Sequence, residues 1–587
     1  MCSTCRNPAH RLDVDLTGLD LTKLGQGIAP TPLQLNIAAS YGVDFTPATA
    51  KTTAEQLESY GRRPLKRIVQ QYADTVIQNA KVHTMNPNQP HAEAVAINGN
   101  QIGFVGSNDD AAQRIGPHTR VIDAKGQTLT PGFQDTHAHL LYIVELLSWT
   151  QVRGLNKKET IKALQDSEPI NGWIRCFGTD LDTNALSRDE IDAALKKVGK
   201  DHIPVYMETE TGEWSAVNTP AIKRIEETHQ IDIEGPHKGM KGRLQIDGNG
   251  FIELDAKGRP TGHLRYANVL VHAAPDGKSE GPMPCAKYDD IKDHLKTHLE
   301  YFAANGITQF HNAMSTLPEL EIYRQYELDR GLPMRIYSSH GMSQFKIHTE
   351  VDKEFLNRMI ELREKYNTDL FNVGGVKFNV SGHSGPSYSL DELTTFIKRL
   401  NKAGIQAWIH AIDQAEIELC LRAFKAADPK GQYKHIRHRI EHFCEASAKQ
   451  VARAVELGVA SAVQPPWGFP APAAKKNGMV TGLSTDWNVI PDISPQEMMA
   501  EAMGLGLSSQ EAVERYTVHP AIASHTEDRL GMLQEGKLAD MVLWSRDITQ
   551  ARTPGGMLRA KVAMTIVDGQ VVHRDPKRVD VPATEAP

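Results

Sequence analysis

At 587 residues, 40% hydrophobic and 23% charged, the chain has the composition of an ordinary soluble globular protein long enough for several domains. Its formal charge of −7 supplies no basic field for nucleic acid or an anionic membrane. The longest uncharged run, Leu457 to Ala474, is broken by Pro465, Pro466, Pro470 and Pro472, so no membrane span is expected. With no apolar leader at the N-terminus and six cysteines, too few for a disulfide scaffold, a cytoplasmic protein is expected.

Residues 1–70 are rich in Thr, Pro, Ala and Gln without a clear period and read as an extension. Cys2, Cys5 and His10 lie in it, but a structural zinc needs a fourth ligand at suitable spacing, and none is obvious. Over 71–130 the pattern changes: "ADTVIQNAKVHTM" and "AVAINGNQIGFVG" read as short strands, the second hinged at Asn98-Gly99. The far end, 534–587, matches it with "KLADMVLW" and "VAMTIVDGQVV", the latter turning at Asp568-Gly569. Neither piece can bury a core alone, so the two are expected to pair into one small β-sandwich.

Between them, over 131–533, helix and strand alternate. "YDDIKDHLKTHLEYFAANGITQF" puts Ile291, Leu295, Leu299 and Phe302 on one helical face, then Gly306, then a strand. "SLDELTTFIKRLNKAGIQAWIH" repeats the plan with a Ser389/Glu392 capping box and Gly404, and "SAKQVARAVELGVASAVQP" with Ser447/Gln450 and Gly458. Such alternation means a parallel sheet, and the number of units predicts an α/β fold with a (β/α)8 barrel whose site lies at the C-terminal strand ends. The rival, a doubly wound open sheet, lacks its Gly-rich phosphate loop. Residues near 150–285 break the rhythm and read as an insertion after the first barrel strand.

In "LTPGFQDTHAHLL", His137 and His139 are two residues apart behind an apolar run, and residues i and i+2 of a strand point the same way. Alone the pair is weak evidence. Yet "IQAWIH" ends at His410, "IRHRIEH" at His442, and "GLSTDW" carries Asp486 where a late strand should end. Four histidines and a carboxylate at separate strand tips suit zinc or a similar divalent ion. "FNVGGVKFNV" adds Lys377 within an apolar strand, where an ammonium is costly unless paired or discharged. Either it snorkels or pairs, or its amine has reacted with CO2 to a carbamate able to bridge two metals. Strand alternation turns Glu441 away from the metal, as a structural partner or one that supports a metal ligand from behind.

These stretches, with "GITQFHNA", "GVKFNVSGHSG", "WIHAIDQA", "RHRIEHF", "LSTDWNV" and "GMLQEGKLADMVLW", resemble the amidohydrolase superfamily, and most closely its amidohydrolase-3 branch of N-substituted formamide deformylases and related amide hydrolases. The resemblance covers about residues 73–573. It implies His137, His139, His410 and His442 as ligands, Lys377 as a bridging carbamate, and Asp486 as last ligand and base. The resemblance also implies one or two divalent ions per chain, zinc by ligand type, activating water against an amide, N-formyl or cyclic amide bond, with Asp486 taking the water proton and passing it to the leaving nitrogen. His311, His383, Gln464, Trp467 and Trp487 lie near the same tips and are expected to shape a substrate pocket. Two departures from the family pattern, His383 in "SGHSGPS" and Glu213-Trp214 in "TETGEWSAVN", fall where substrate contacts are expected. The alternatives are a heterocycle deaminase on the same scaffold and a catalytically silent binding relative. The expected partner is a small amide-type molecule, with no nucleic acid and no membrane; homo-oligomer formation is left open.

Overall fold

The computed structural model describes residues 72–210, 212, 214–235, 237, 240, 242–247, 250–272, 281–341, 351–381, 387–487 and 494–579. The N-terminal extension with Cys2, Cys5 and His10, and also Glu213 and His383, lie outside the described residues. The chain divides into two compact units, residues 1–73 with 113–119, and 74–112 with 120–587. In the first, Gly116 N donates to Thr119 Oγ1 at 2.8 Å and closes a turn. All that follows concerns the second. No helix among the described residues is long and apolar enough to cross a membrane.

The two terminal β-pieces share a sheet. Its six strands run in the order Gln570–Arg574, Val562–Val567, Met541–Trp544, Thr128–Pro131, Lys81–His83, His91–Ala92. The seam is antiparallel, Val542 opposite Thr130, and Trp544 Nε1 donates to Thr130 Oγ1 across it at 3.0 Å. A four-stranded sheet, Gln101–Gly106, Ala94–Asn98, Thr75–Gln78, Arg120–Asp123, supplies Ile77, Val95 and Ile122 to a core shared with Met541, Leu543 and Ile566. Asp568 and Gly569 both take positive φ, 51° and 78°, as a two-residue hairpin loop with right-handed strand twist requires. The first hairpin's loop is Gly99-Asn100, one residue later than Asn98-Gly99, because Asn98 pairs with Gln101.

Eight parallel strands form the barrel: β1 (Phe133–Ala138), β2 (Ile307–Ser315), β3 (Arg335–Gly341), β4 (Phe371–Asn379), β5 (Gln406–Ala411), β6 (Arg439–His442), β7 (Ala460–Val463) and β8 (Thr481–Leu483). They neighbour one another in sequence order. The ring closes just beyond β8, where Trp487 bridges Ala138 and Thr136 Oγ1 donates to Leu483 O at 3.0 Å. Gly482 permits this close approach, since a Cβ there would stand 2.1 Å from the Thr136 methyl.

The helices follow from their sequences. Tyr288–Ala304 buries Ile291, Leu295, Leu299 and Phe302, and at such sites truncation to Ala costs about 2–5 kcal/mol. Leu390–Ala403 and Ala448–Leu457 begin on the Ser389/Glu392 and Ser447/Gln450 boxes and end on Gly404 and Gly458 in the left-handed region, where glycine carries no Cβ penalty.

Between β1 and β2 the insertion builds its own sheet. Its order is Arg243–Asp247, Gly250–Leu254, Pro260–Arg265, Trp214–Val217, Val205–Thr209, Ile174–Thr179, Thr150–Gln151. The last three strands are parallel and the others antiparallel. One face sends Phe177, Tyr206 and Val217 into the barrel's apolar cluster. The other packs Cys176, Met207 and Trp214 with Leu164 and Leu195 of two covering helices.

Candidate metal centre

The ends of β1, β4, β5 and β6 and the turn after β8 bring His137, His139, Lys377, His410, His442 and Asp486 together. His137 lies on the last turn of β1 and His139 just past it, where it precedes the helix Leu140–Ser148. Asp486 Oδ1 stands 3.3 Å from His137 Nε2 and 3.2 Å from His139 Nε2. Lys377 Nζ is 3.4 Å from His137 Nε2. The His442 ring centroid lies 4.8 Å from that of His137 and 4.3 Å from that of His410. One ligand atom each of His137, His442 and Asp486 falls within 4.8 Å of the others, and all three residues are buried.

Two of these residues hold unusual backbone. His442 has φ 73° and Asp486 φ 48°, in the left-handed region that non-glycine residues enter at a cost. At Asp486 the backbone is held by its N–H donating to His137 O at 2.8 Å, while His139 N donates to Trp487 O at 2.9 Å. At His442 the positive φ breaks strand alternation. Glu441 therefore does not turn away: it is fully buried within the barrel beneath the cluster, accepting a hydrogen bond from His137 Nδ1. Arg439 Nε and Nη2 hold the same carboxylate at 2.8 and 2.9 Å, and its guanidinium lies 3.8 Å from the Trp408 ring centroid. The Glu441 contact fixes the His137 tautomer and leaves Nε2 facing the cluster. Gln464 does the same for His442, its Oε1 lying 2.8 Å from Nδ1 while its Nε2 donates to Ser484 Oγ at 2.9 Å.

Burial sets the protonation states. It holds His137 and His410 well below the ordinary imidazole range and pushes His442 down to about 4, so these rings are neutral donors at pH 7. It also pushes Lys377 down to about 8, leaving an appreciable fraction of free amine. For Asp486 burial acts to raise the pKa, but contact with His139 and the neighbouring positive charges prevail and hold it below the usual carboxylate value.

The donor set suits a divalent ion. Asp486 Oδ1 is buried without a hydrogen-bond partner, which is costly unless a positive group meets it, and it faces Nε2 of His137 and of His139. Imidazole and carboxylate together match zinc.

The other residues singled out in the sequence are placed as follows. His311, on β2, is fully buried, with Arg439 Nη1 donating to its Nδ1 at 2.9 Å and the Gln309 amide 3.0 Å from its Nε2. Trp487 is buried against His298 and Phe302. Trp467 is 38% exposed, its ring 5.7 Å from that of His442, and is the aromatic that borders both cluster and solvent. Sequence reasoning missed Asp135, whose carboxylate accepts from His137 N, Thr485 N and, at 2.6 Å, Thr485 Oγ1. It ties β1 to the turn bearing Asp486, and burial raises it to about 7. The signal was a lone acid within the apolar run "GFQDTH"; Arg439 in "RHRIEH" was a second.

Comparison with known proteins gives the family. The sequence profile described as Amidohydrolase family matches residues 120–573. The chain is 24% identical to the N-substituted formamide deformylase of Arthrobacter pascens, over 85% of this chain and 98% of that one. It is 22% identical to the putative amidohydrolase YtcJ of Bacillus subtilis (strain 168), over 84% and 98%. Its fold resembles an uncharacterized metal-dependent hydrolase from Pyrococcus horikoshii, with TM-score 0.60 and 17% identity over 82% of this chain and 99% of that one. With the profile spanning most of its length, this chain is an enzyme of the amidohydrolase family, a hydrolase of carbon–nitrogen bonds other than peptide bonds.

Proposed function

We propose that the protein hydrolyses the C–N bond of a small amide, N-formyl amine or cyclic amide, with one or two divalent ions, zinc by ligand type, and Asp486 as general base. The observation that carries this reading is the buried Asp486 oxygen without a hydrogen-bond partner, facing His137 and His139. His137, His139, His410, His442, Asp486 and a carbamate on Lys377 would hold the ions. A bound ion supplies Lewis acidity, polarising a carbonyl oxygen and acidifying water.

Asp486 takes the proton of the attacking water and returns it to the leaving nitrogen. Glu441 and Gln464 orient His137 and His442. Lys377, part-neutral at pH 7, adds through Nζ to CO2, losing one proton and becoming an anion. Trp467, partly exposed beside His442, would contact a substrate held at the cluster.

Metal analysis of the purified chain, followed by a screen of N-formyl amines, N-acyl amines and cyclic amides, tests this. The expected result is one or two ions per chain and hydrolysis that chelation abolishes and metal restores. Full activity in metal-free protein would overturn the reading. Ammonia released from a heterocyclic amine, with every amide left intact, would replace it by deamination.

A further inference from the structure

The insertion sheet carries a cleft of about 1160 Å³. Its lining comes wholly from residues 153–266 and shares none with the metal cluster. It opens beyond the C-terminal ends of the insertion's parallel strands, where α/β sheets commonly receive ligands. Trp214, on its wall, packs into the cluster that faces away from the barrel.

The polar groups of this cleft are unevenly satisfied. Glu210 pairs with Arg153, and Glu253 with His263 at 3.0 Å. Asp180 is spent on its own turn, accepting from the backbone N–H groups of Asp182 and Thr183. Arg243 and Arg265, by contrast, pair with no carboxylate among the described residues. Their guanidinium groups lie 5.7 Å from the Phe251 ring and 5.5 Å from the Trp214 ring, and Phe251, Arg265 and Trp214 stand opposite one another on adjacent strands. Two further lining side chains, Thr179 and Trp214, are 2% exposed, and Thr179 Oγ1 and Trp214 Nε1 have no hydrogen-bond partner. Buried donors in this state are uncommon in native folds and call for a partner.

We propose that this cleft is a second binding site, for a small molecule that carries a carboxylate on a planar apolar body. Guanidinium forks match a carboxylate in two-point geometry. The part-exposed Phe251 ring beside Arg243 offers a face for a planar body, and the unpartnered indole N–H and hydroxyl offer further hydrogen bonds.

Benzoate is the probe, with benzyl alcohol as its uncharged counterpart, titrated calorimetrically into the full-length chain. Saturable benzoate binding is expected below about 10 mM, with benzyl alcohol binding much more weakly. R243M and R265M should each weaken benzoate about tenfold or more, the loss of a charge-assisted hydrogen bond, while D486N leaves it unchanged. If R265M does not fold, R243M decides. No saturable heat, equal binding of benzyl alcohol, unchanged affinity in R243M, or loss of binding in D486N would each overturn the proposal, the last by placing the probe in the barrel.

Discussion

The two ends of the barrel bury charge in opposite ways. At the N-terminal end, Arg335 at the start of β3 meets Asp540 through Nε and Nη2, both at 2.9 Å, and Asp568 at 2.7 Å. These three charges are paired, and they clamp the barrel to the sandwich. At the C-terminal end, Asp486 keeps an oxygen without a hydrogen bond, Lys377 is buried with no carboxylate bonded to it among the described residues, and His442 and Asp486 hold positive φ. One end spends buried charge on stability; the other leaves it unsatisfied for chemistry. That polarity is the general division of labour in barrels of this kind.

The sharpest way to test the contrast is at Asp486. Asp486→Asn keeps the side chain's shape and removes its basicity, so kcat should fall about 10²–10⁴-fold with the folding midpoint unchanged. Turnover is measured after metal reloading; near-normal kcat at full occupancy would place the base elsewhere. At the opposite end, Arg335→Met should do the reverse. It strands Asp540 and Asp568, and breaking such a buried pair costs about 3–5 kcal/mol, read from urea unfolding. Metal content per folded chain should hold; a stability loss under 1 kcal/mol would mean the clamp contributes little.

Between these extremes lies Glu441, which belongs to the functional end but touches it only through His137. Glu441→Gln should weaken metal affinity about 10–100-fold, while kcat at saturating metal changes far less. An equal fall in kcat at full occupancy would show that Glu441 acts directly.

The smallest effect concerns pH. His438 and His519 are pushed down to about 3 by burial; their Nδ1 atoms accept from Ala407 N and Thr481 N, each at 3.0 Å. A neutral folded imidazole binds fewer protons than the unfolded one below about pH 6.5. Its stabilisation is therefore complete above pH 6.5 and is lost as pH falls toward 3. The slope is about 1.4 kcal/mol per pH unit for each ring. His438→Gln should flatten the pH 5–6.5 stability slope by about that amount; an unaltered slope would mean the ring already charges in the folded chain.

Much of this was legible in the sequence. The capping boxes and glycine stops around 389–404 and 447–458 mark units that fold locally. His137, His410 and His442 each lie at the end of a strand, and His139 just past one. Glu441 was misdirected because alternation assumes extended backbone, and the φ of 73° at His442 turns two successive side chains toward one interior. Asp135 was missed, and the Arg439 contact of His311 unforeseen, for another reason: the partners Thr485 and Arg439 are 350 and 128 residues distant, and no local period reports such a contact. The insertion's sheet was hidden because it joins a parallel block to an antiparallel one, so no single period runs through it.

The seam of the sandwich has a consequence for biosynthesis. Thr130 and Trp544, hydrogen-bonded across it, are 414 residues apart along the chain. During synthesis the strand Thr128–Pro131 emerges early and waits with an open edge until the barrel and Met541–Trp544 have followed. The sheet can close only once nearly all of the chain has been translated, so its formation is a late, long-range step, and the waiting edge is where a stalled or truncated chain would associate with another.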